Sequence, residues 1–317
     1  MIRKPLGIVL LISGAALLLA ILQVFRPPED TLIWQSALDA GHVPLFGLIS
    51  LIALGLVRAL TGRRGVNAYI LAFLMTSILA AVTEGFQYFG PRDADPGDLA
   101  RSMAGSFGFL SLAMALDRQV GIHRGRRIVL VVGAAALIGG GLAGFTTVVR
   151  AHVYRAKAFP TICSFDASWE KMFWGTMSAE FSVIGLPQSW SDGSGNHVGK
   201  ITLLPSTYPG FYISELEADW RGYDSLCFDV YSELSLPVEV TLRVHDARHD
   251  NTFTDRFNRV LMVVPGKNEL RIRLEDIRDA PRGRELDLAH VRTVSLFAVE
   301  PDTAFTLYLD AFRLEAD

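Results

Sequence analysis

The chain has 317 residues, half of them hydrophobic, and a formal net charge of −3. So small a charge, with no Lys/Arg-rich tract, argues against nucleic acid as a partner. Long apolar runs extend to about Val149, and beyond it apolar and polar residues alternate between turn signals, so two domains are expected.

Five segments are long and apolar enough for a helix that crosses a bilayer: roughly Leu6–Phe25, Val43–Leu60, Ala68–Phe89, Leu99–Leu116 and Ile128–Val149. The first follows Arg3 and Lys4 and has no small-x-small cleavage site at its end, so it reads as an uncleaved anchor rather than a signal peptide. Basic residues mark alternate loops: Arg3 and Lys4, then Arg58, Arg63 and Arg64, then Arg118, Arg124, Arg126 and Arg127. The intervening loops are acidic, with Glu29, Asp30 and Asp39 in one and Asp93, Asp95 and Asp98 in the other. The positive-inside rule therefore puts the amino terminus in the cytoplasm and the carboxy-terminal half outside, on a multi-pass membrane protein. Arg150, Arg155 and Lys157 after the fifth span run against that bias but are outvoted.

Ionisable groups at a membrane boundary are costly unless they meet water, each other or a ligand. The densest such group joins spans three and four: Glu84, Gln87, Arg92, Asp95 and Asp98. Asp39 and His42, at the entrance of span two, are expected at the same membrane level. Asp98 is placed to cap the start of span four, and Ala100, Ser102, Ala104, Gly105 and Ser106 after it are small enough for close helix approach. The set Asp39-x-x-His42-x-x-x-Phe46, Glu84-x-x-Gln87 and Arg92-x-x-Asp95-x-x-Asp98, with Gly105 downstream, resembles the VanZ-like membrane proteins over about residues 30–120. The chain departs from that family at Ala40, where members often carry Lys, and at Ser102, where Asn is common. The resemblance implies a cell-envelope function and a role in susceptibility to glycopeptide antibiotics such as teicoplanin, and it supplies no biochemical mechanism.

Three readings of the cluster stay open. The charges can simply tie helix ends together, with Arg92 paired to Asp95 or Asp98 and His42 to Glu84. They can form an outward pocket for the headgroup of a lipid-linked envelope precursor, with Asp39, His42, Glu84, Gln87, Arg92, Asp95 and Asp98 as ligand-binding residues and Arg92 on the anion. Or Glu84, His42, Arg92 and Asp98 can be the working groups of a membrane-embedded hydrolase or transferase, with Glu84, His42 and Asp98 as the catalytic candidates. No HExxH or similarly tight ligand spacing points to a catalytic metal.

After a basic and aromatic linker, 151–162, residues 163–317 read as an antiparallel β-sandwich. Period-two alternation runs through Leu226–Val230, Val238–Val244, Leu270–Leu274 and Phe305–Leu314, and a less regular apolar strand covers Val291–Val299. The runs WRGYDSLCFDVY, LRVHD, PGKNELRIRLEDI and LYLDAFRLE resemble galactose-binding-like jelly rolls of carbohydrate-binding modules. The polar patch Arg243, His245, His249, Asp250, Asp255, Arg256 and Asn258, joined by Trp190, Tyr208 or Trp220, is then the candidate glycan platform. The bland alternative is a solvated loop beside core aromatics, with Asp255 and Arg256 paired. The same resemblance implies a structural calcium ion at Asp310 with Asp166, and no other cofactor is expected. Cys163 and Cys227 both fall in this half, where an oxidising compartment permits a disulfide that two cysteines do not establish. The expectation is a five-helix transmembrane domain over 1–150 followed by a jelly roll: an envelope protein that binds membrane lipid or a lipid-linked precursor, and glycan or an envelope protein partner. A membrane-embedded enzyme and a protein-docking scaffold are the alternatives.

Overall fold

A computed structural model describes residues 3–25, 27–28, 30–87, 95–188, 190, 196–216 and 219–316. The chain divides into two compact units, Met1–Val149 and Arg150–Asp317.

The apolar runs of the first unit fold as five helices: α1 (Arg3–Val24), α2 (Leu32–Thr61), α3 (Val66–Gln87), α4 (Pro96–Leu116) and α5 (Arg124–Ala158), the last continuing into the second unit. Among the described residues α2, α3, α4 and α5 are long and apolar enough to cross a membrane, and α1 contains the apolar stretch Gly7–Leu18. Three expected boundaries are corrected. Helix α2 begins eleven residues before Val43, because Leu32–Val43 holds no breaker strong enough to stop it and Pro44 is tolerated inside the helix. Asp39 and His42 are thus within α2 and not on a loop before it. Asp95, not Asp98, caps α4: its Oδ1 accepts from the Gly97 amide at 2.8 Å and Pro96 takes the first helical position, leaving Asp98 in the first turn. The segment 151–162 is no linker, since α5 runs on through Ala158, with Arg155 and Lys157 favourably placed in its last turn.

The helices meet closely where side chains are small. A Cβ on Gly105 would fall on the carbonyl oxygen of Val43, so α4 presses directly on the α2 backbone there. Ser106 Oγ adds a bond of 3.2 Å to the Phe46 carbonyl, and Ser50 Oγ one of 3.4 Å to the Ser106 carbonyl. The small residues at these positions let the two backbones approach this closely. At the far end of α2, Arg58 bonds Asp117 at 2.5 Å and Tyr69 donates to the same carboxylate at 3.0 Å, tying α2, α3 and the end of α4 together.

The second unit is a sandwich of two antiparallel sheets, as the alternation predicts. Its strands are β1 (Thr161–Cys163), β2 (Trp174–Met177), β3 (Ala179–Gly185), β4 (His197–Leu203), β5 (Gly210–Ser214), β6 (Ser225–Ser232), β7 (Val238–Asp246), β8 (Phe257–Val263), β9 (Gly266–Arg273), β10 (Val291–Phe297) and β11 (Phe305–Glu315), with one short helix, α6 (Leu274–Arg278). One sheet runs β3-β4-β11-β6-β9, with β1 added to β11, and the other β2-β5-β10-β7-β8. Between them lie Phe211, Ile213, Phe228, Leu242, Leu296 and Phe312, with the Phe228 and Phe312 rings stacked at 4.9 Å. Trp220 belongs to this core as well. It is 0% exposed, so its place on a glycan platform is corrected: its amide bonds the Leu288 carbonyl and the indole closes one end of the sandwich.

The disulfide is also corrected. Cys163 and Cys227 are both free thiols. Cys163 on β1 packs in the core, while Cys227 alternates with core residues Leu226 and Phe228 and lies on the opposite face of the sheet, beside Glu315. Strand β11 separates them. Two strand spacings, about 10 Å, exceed what a disulfide spans.

The α2–α4 contact yields a direct prediction. Gly105→Ala should force the helices apart and lower the melting temperature of the detergent-solubilised chain, at a cost of about 1–3 kcal/mol. Gly133→Ala, which meets nothing within 4 Å, should leave the melting temperature unchanged.

Candidate functional site

Helices α2 and α4 bring together most of the polar cluster. His42, 3% exposed, has its Nδ1 3.1 Å from Ser102 Oγ and its Nε2 3.5 Å from Asp98 Oδ2, and its ring stacks on Phe46. Arg101 gathers three carboxylates: Asp98 at 2.6 Å, Asp95 at 3.0 Å and Asp39 at 3.4 Å. Glu84, near the end of α3, accepts from the Asp95 amide at 2.7 Å and so joins α3 to the cap of α4. Arg92 and the side chain of Gln87 lie outside the described residues. Of the two arginines in this stretch, Arg101 is the one that sequence reasoning overlooked. Its signal was a position three residues after Asp98, one helical turn, where opposite charges meet. Ser102 is the residue that holds the His42 ring. The arrangement can fix helices in register and can relay a proton between Asp98 and Ser102 through the imidazole.

In the sandwich, pairing register decides which polar residues share a surface. Leu242 and Val244 of β7, Val294 and Leu296 of β10, and Phe211 and Ile213 of β5 all point into the core. The intervening residues therefore line the outer face of the second sheet. One row reads Asn258, Arg243, Ser295, Tyr212, Gly175 across β8, β7, β10, β5 and β2, and the next reads Val260, Thr241, Phe297, Gly210, Met177. The small residues matter. A Cβ on Gly175 would sit 2.5 Å from the Tyr212 hydroxyl, so the tyrosine lies down over that glycine. The Arg243 guanidinium stands 4.5 Å above the Phe297 ring and its Nε donates to Asn258 at 3.2 Å. Tyr208, 52% exposed, meets Phe297 edge-on at 5.8 Å. Burial pushes the Arg243 and Arg256 guanidiniums and the His245 imidazole below their usual ranges, which keeps His245 neutral at pH 7. The Arg256 Nε is buried with no hydrogen-bond partner. Phe297 and Ser295 are buried beneath this layer, so the groups it presents are the Tyr208 and Tyr212 rings, the Arg243 guanidinium and the Thr241 hydroxyl. Sequence reasoning found Arg243, His245, Arg256, Asn258 and Tyr208, and missed Tyr212, Ser295 and Phe297.

The outer face of the first sheet differs. Lys267 pairs with Asp229 and Glu269, and Glu315 with Arg271 and Arg313, while Trp190 covers Tyr231 and Tyr308 at 4.9 and 5.5 Å. Most of these charges are paired with one another, and Asp310 beside Asp229 is the exception.

His249, Asp250 and Asp255 leave the binding row and brace the β7–β8 loop. Asp255 accepts from Arg284 at 2.5 Å and from the Asp250 amide at 3.0 Å, and His249 Nδ1 bonds the Asp255 carbonyl at 3.0 Å. The partner of Asp255 is thus Arg284, not Arg256. Arg284 also forks onto the buried Asp246 at 2.6 and 2.9 Å; burial raises the Asp246 carboxyl, but Arg284 and the Asp287 amide outweigh it and leave it below the usual range. The donor atoms of His249, Asp250 and Asp255 lie within 4.8 Å of one another. With a guanidinium already on Asp255, they do not suit a cation.

Asp310 and Asp166 are the acids expected to hold calcium. Asp310 accepts from Asn196 at 2.7 Å and from the Ala311 amide at 2.7 Å, and Asp166 from the amide and ring of His197 at 2.9 and 3.1 Å. Burial, followed by the negative charges of Asp229 and Asp166, pushes Asp310 up to about 6 despite those two donors.

The similarities to known structures fall on the sandwich half. A family 11 carbohydrate-binding module from Clostridium thermocellum, solved with a β-1,3-1,4-mixed-linked tetrasaccharide, aligns at 15% identity and a TM-score of 0.38, covering 49% of this chain and 94% of that one. An exo-β-agarase aligns at 17% and 0.41 over 50% of this chain and 25% of its own. A module specific for non-crystalline cellulose aligns at 13% and 0.35, over 50% and 95%. No family model matches the chain, and no curated protein matches it.

Two outcomes follow. Arg101→Ala leaves three carboxylates facing one another and should destabilise the detergent-solubilised chain by about 3 kcal/mol, read from its melting curve. For Asp310 the folded pKa lies above the unfolded value of about 4, so its contribution to stability is complete below pH 4 and is lost as pH rises through 6, a loss of about 3 kcal/mol. Melts of the sandwich transition between pH 4 and pH 7 should show that decline, and Asp310→Asn should remove it.

Proposed function

We propose that this chain is a bacterial inner-membrane protein that holds a glycan-binding β-sandwich at the cell envelope. The single observation that carries the reading is the outer face of the second sheet. Tyr208 and Tyr212 supply ring surface, and Arg243, Asn258 and Thr241 supply hydrogen-bonding groups, over a floor of buried Phe297 and Ser295 kept low by Gly175 and Gly210. The four or five apolar helices anchor it, with the amino terminus in the cytoplasm and the sandwich on the outer side, as the basic loops favour. On the VanZ-like resemblance the membrane half recognises a lipid-linked or lipid-like envelope component at the cluster of Asp39, His42, Glu84, Asp95 and Asp98. Arg101 is already shared by three carboxylates, and Arg92, the arginine expected on the anion of such a headgroup, lies outside the described residues. A role in glycopeptide susceptibility belongs to the same proposal. Calcium at Asp310 and Asp166 would neutralise the first sheet's buried acids; added calcium at pH 7 should then raise the melting temperature of the wild type and not of Asp310→Asn.

A second reading is favoured by one contact. His42 sits between the Asp98 carboxylate and the Ser102 hydroxyl, an order of groups that can activate a hydroxyl in a membrane-embedded hydrolase or transferase. That reading requires turnover of a lipid-linked precursor that stops with His42→Ala, whereas the binding reading requires weakened binding with Arg92→Ala and no turnover in any variant.

A glycan array with the full detergent-solubilised chain tests the proposal. Binding of an envelope or plant-type polysaccharide, reduced at least tenfold by Tyr208→Ala and by Arg243→Ala, is the expected result. Array-wide absence of binding would leave the sandwich as a protein-docking scaffold.

A further inference from the structure

Strand β5 ends against the last turns of α5, and between them the second unit encloses a cavity of about 480 Å³, within the roughly 300–1,000 Å³ of small-ligand sites. Val153, Ala156, Phe159, Ile162, Leu216 and Trp220 make most of its wall apolar, and Thr161 and Asp219 line it as well. The polar groups stand together at one side. His152 Nε2 lies 3.2 Å from Glu215 Oε2, and Arg155 donates to the Ser214 carbonyl at 2.8 Å while its guanidinium covers Phe173 at 4.2 Å. These contacts hold α5 to the strand and keep the cavity open as a fixed shape. Trp220, 0% exposed, has an indole N–H with no hydrogen-bond partner.

The position of the cavity selects the ligand. Helix α5 is unbroken over 35 residues. With Ile128–Val149 as its membrane-crossing part, a rise of about 1.5 Å per residue puts His152 about 5 Å and Phe159 about 15 Å beyond the hydrocarbon core. The headgroup layer occupies about the first 5–7 Å of that distance. The α5 wall of the cavity therefore starts among lipid headgroups, with the His152–Glu215 pair at the polar level and the apolar walls behind it.

We propose that this cavity binds an acyl chain of a membrane phospholipid, with the lipid's polar head at the His152–Glu215 pair. The inference rests on the reading of α5 as a membrane span. It adds a second lipid-contact site, one that draws on residues of the sandwich rather than on the cluster between α2 and α4.

Photolabelling of the full chain in phosphatidylglycerol vesicles tests it, with a phosphatidylglycerol that carries a diazirine at the end of one acyl chain. Irradiation followed by peptide mapping should find adducts on 152–162 and 214–221 in addition to the spans. Ala156→Trp, at a solvent-accessible wall position, should cut the cavity adducts at least fivefold, leave the span adducts unchanged and melt like the wild type. Adducts confined to the spans, or cavity adducts equal in the two proteins, would overturn the acyl-chain site alone. Adducts absent from the spans as well would overturn the membrane reading and this proposal with it.

Discussion

Register in the second sheet is the constraint on which the proposed function depends. A strand's side chains alternate, so a slip of one residue would turn every buried group outward. Phe211, Ile213, Leu242, Val244, Val294 and Leu296 are all buried between the sheets, and their burial leaves β5, β10 and β7 only one pairing. The opposite face follows without further choice: Tyr212, Ser295 and Arg243 fall into one row, and Gly210, Phe297 and Thr241 into the next. The apolar core thus builds the polar surface, and Arg243 over Phe297 is a consequence of packing on the other side of the sheet. The first sheet obeys the same rule, but Trp190 covers its outward Tyr231 and Tyr308, whereas Tyr208 on the second sheet is left 52% exposed.

The helical half is organised by close approach and charge together. Gly105 against the Val43 backbone sets how near α2 and α4 come, and that spacing puts Ser102 and Asp98 within reach of the His42 ring. Arg101 then neutralises acids contributed by both helices. A network of this kind fixes one arrangement of helices even where its net stabilisation is small. The same network is the precondition for either function proposed for the cluster, since a headgroup pocket and a proton relay both need the helices held in place.

Much of the sandwich was legible because its core alternates with period two, as in Leu226–Val230 and Val238–Val244. The same alternation already placed Cys227 on the outward phase with Asp229, which argues against its pairing with a thiol in the core. Trp220 misled because its neighbours Asp219, Arg221 and Asp224 are polar, whereas its burial is decided by Leu288, far along the chain. The start of α4 carried its own signal in Asp95-Pro96, a cap followed by a first-turn proline. What no local pattern reveals is the row of Tyr212, Ser295 and Arg243, because it exists only once strands more than eighty residues apart have paired.

The central claim, that the outer face of the second sheet receives a glycan, is tested most directly by hydrogen–deuterium exchange of the full chain with and without the strongest binder from the array. Protection is predicted in 208–214, 241–245, 256–260 and 293–297, with 225–231 and 305–310 of the first sheet unchanged. Protection centred on 190, 229–231 and 308, with none at 212, 243 and 295, would contradict the account.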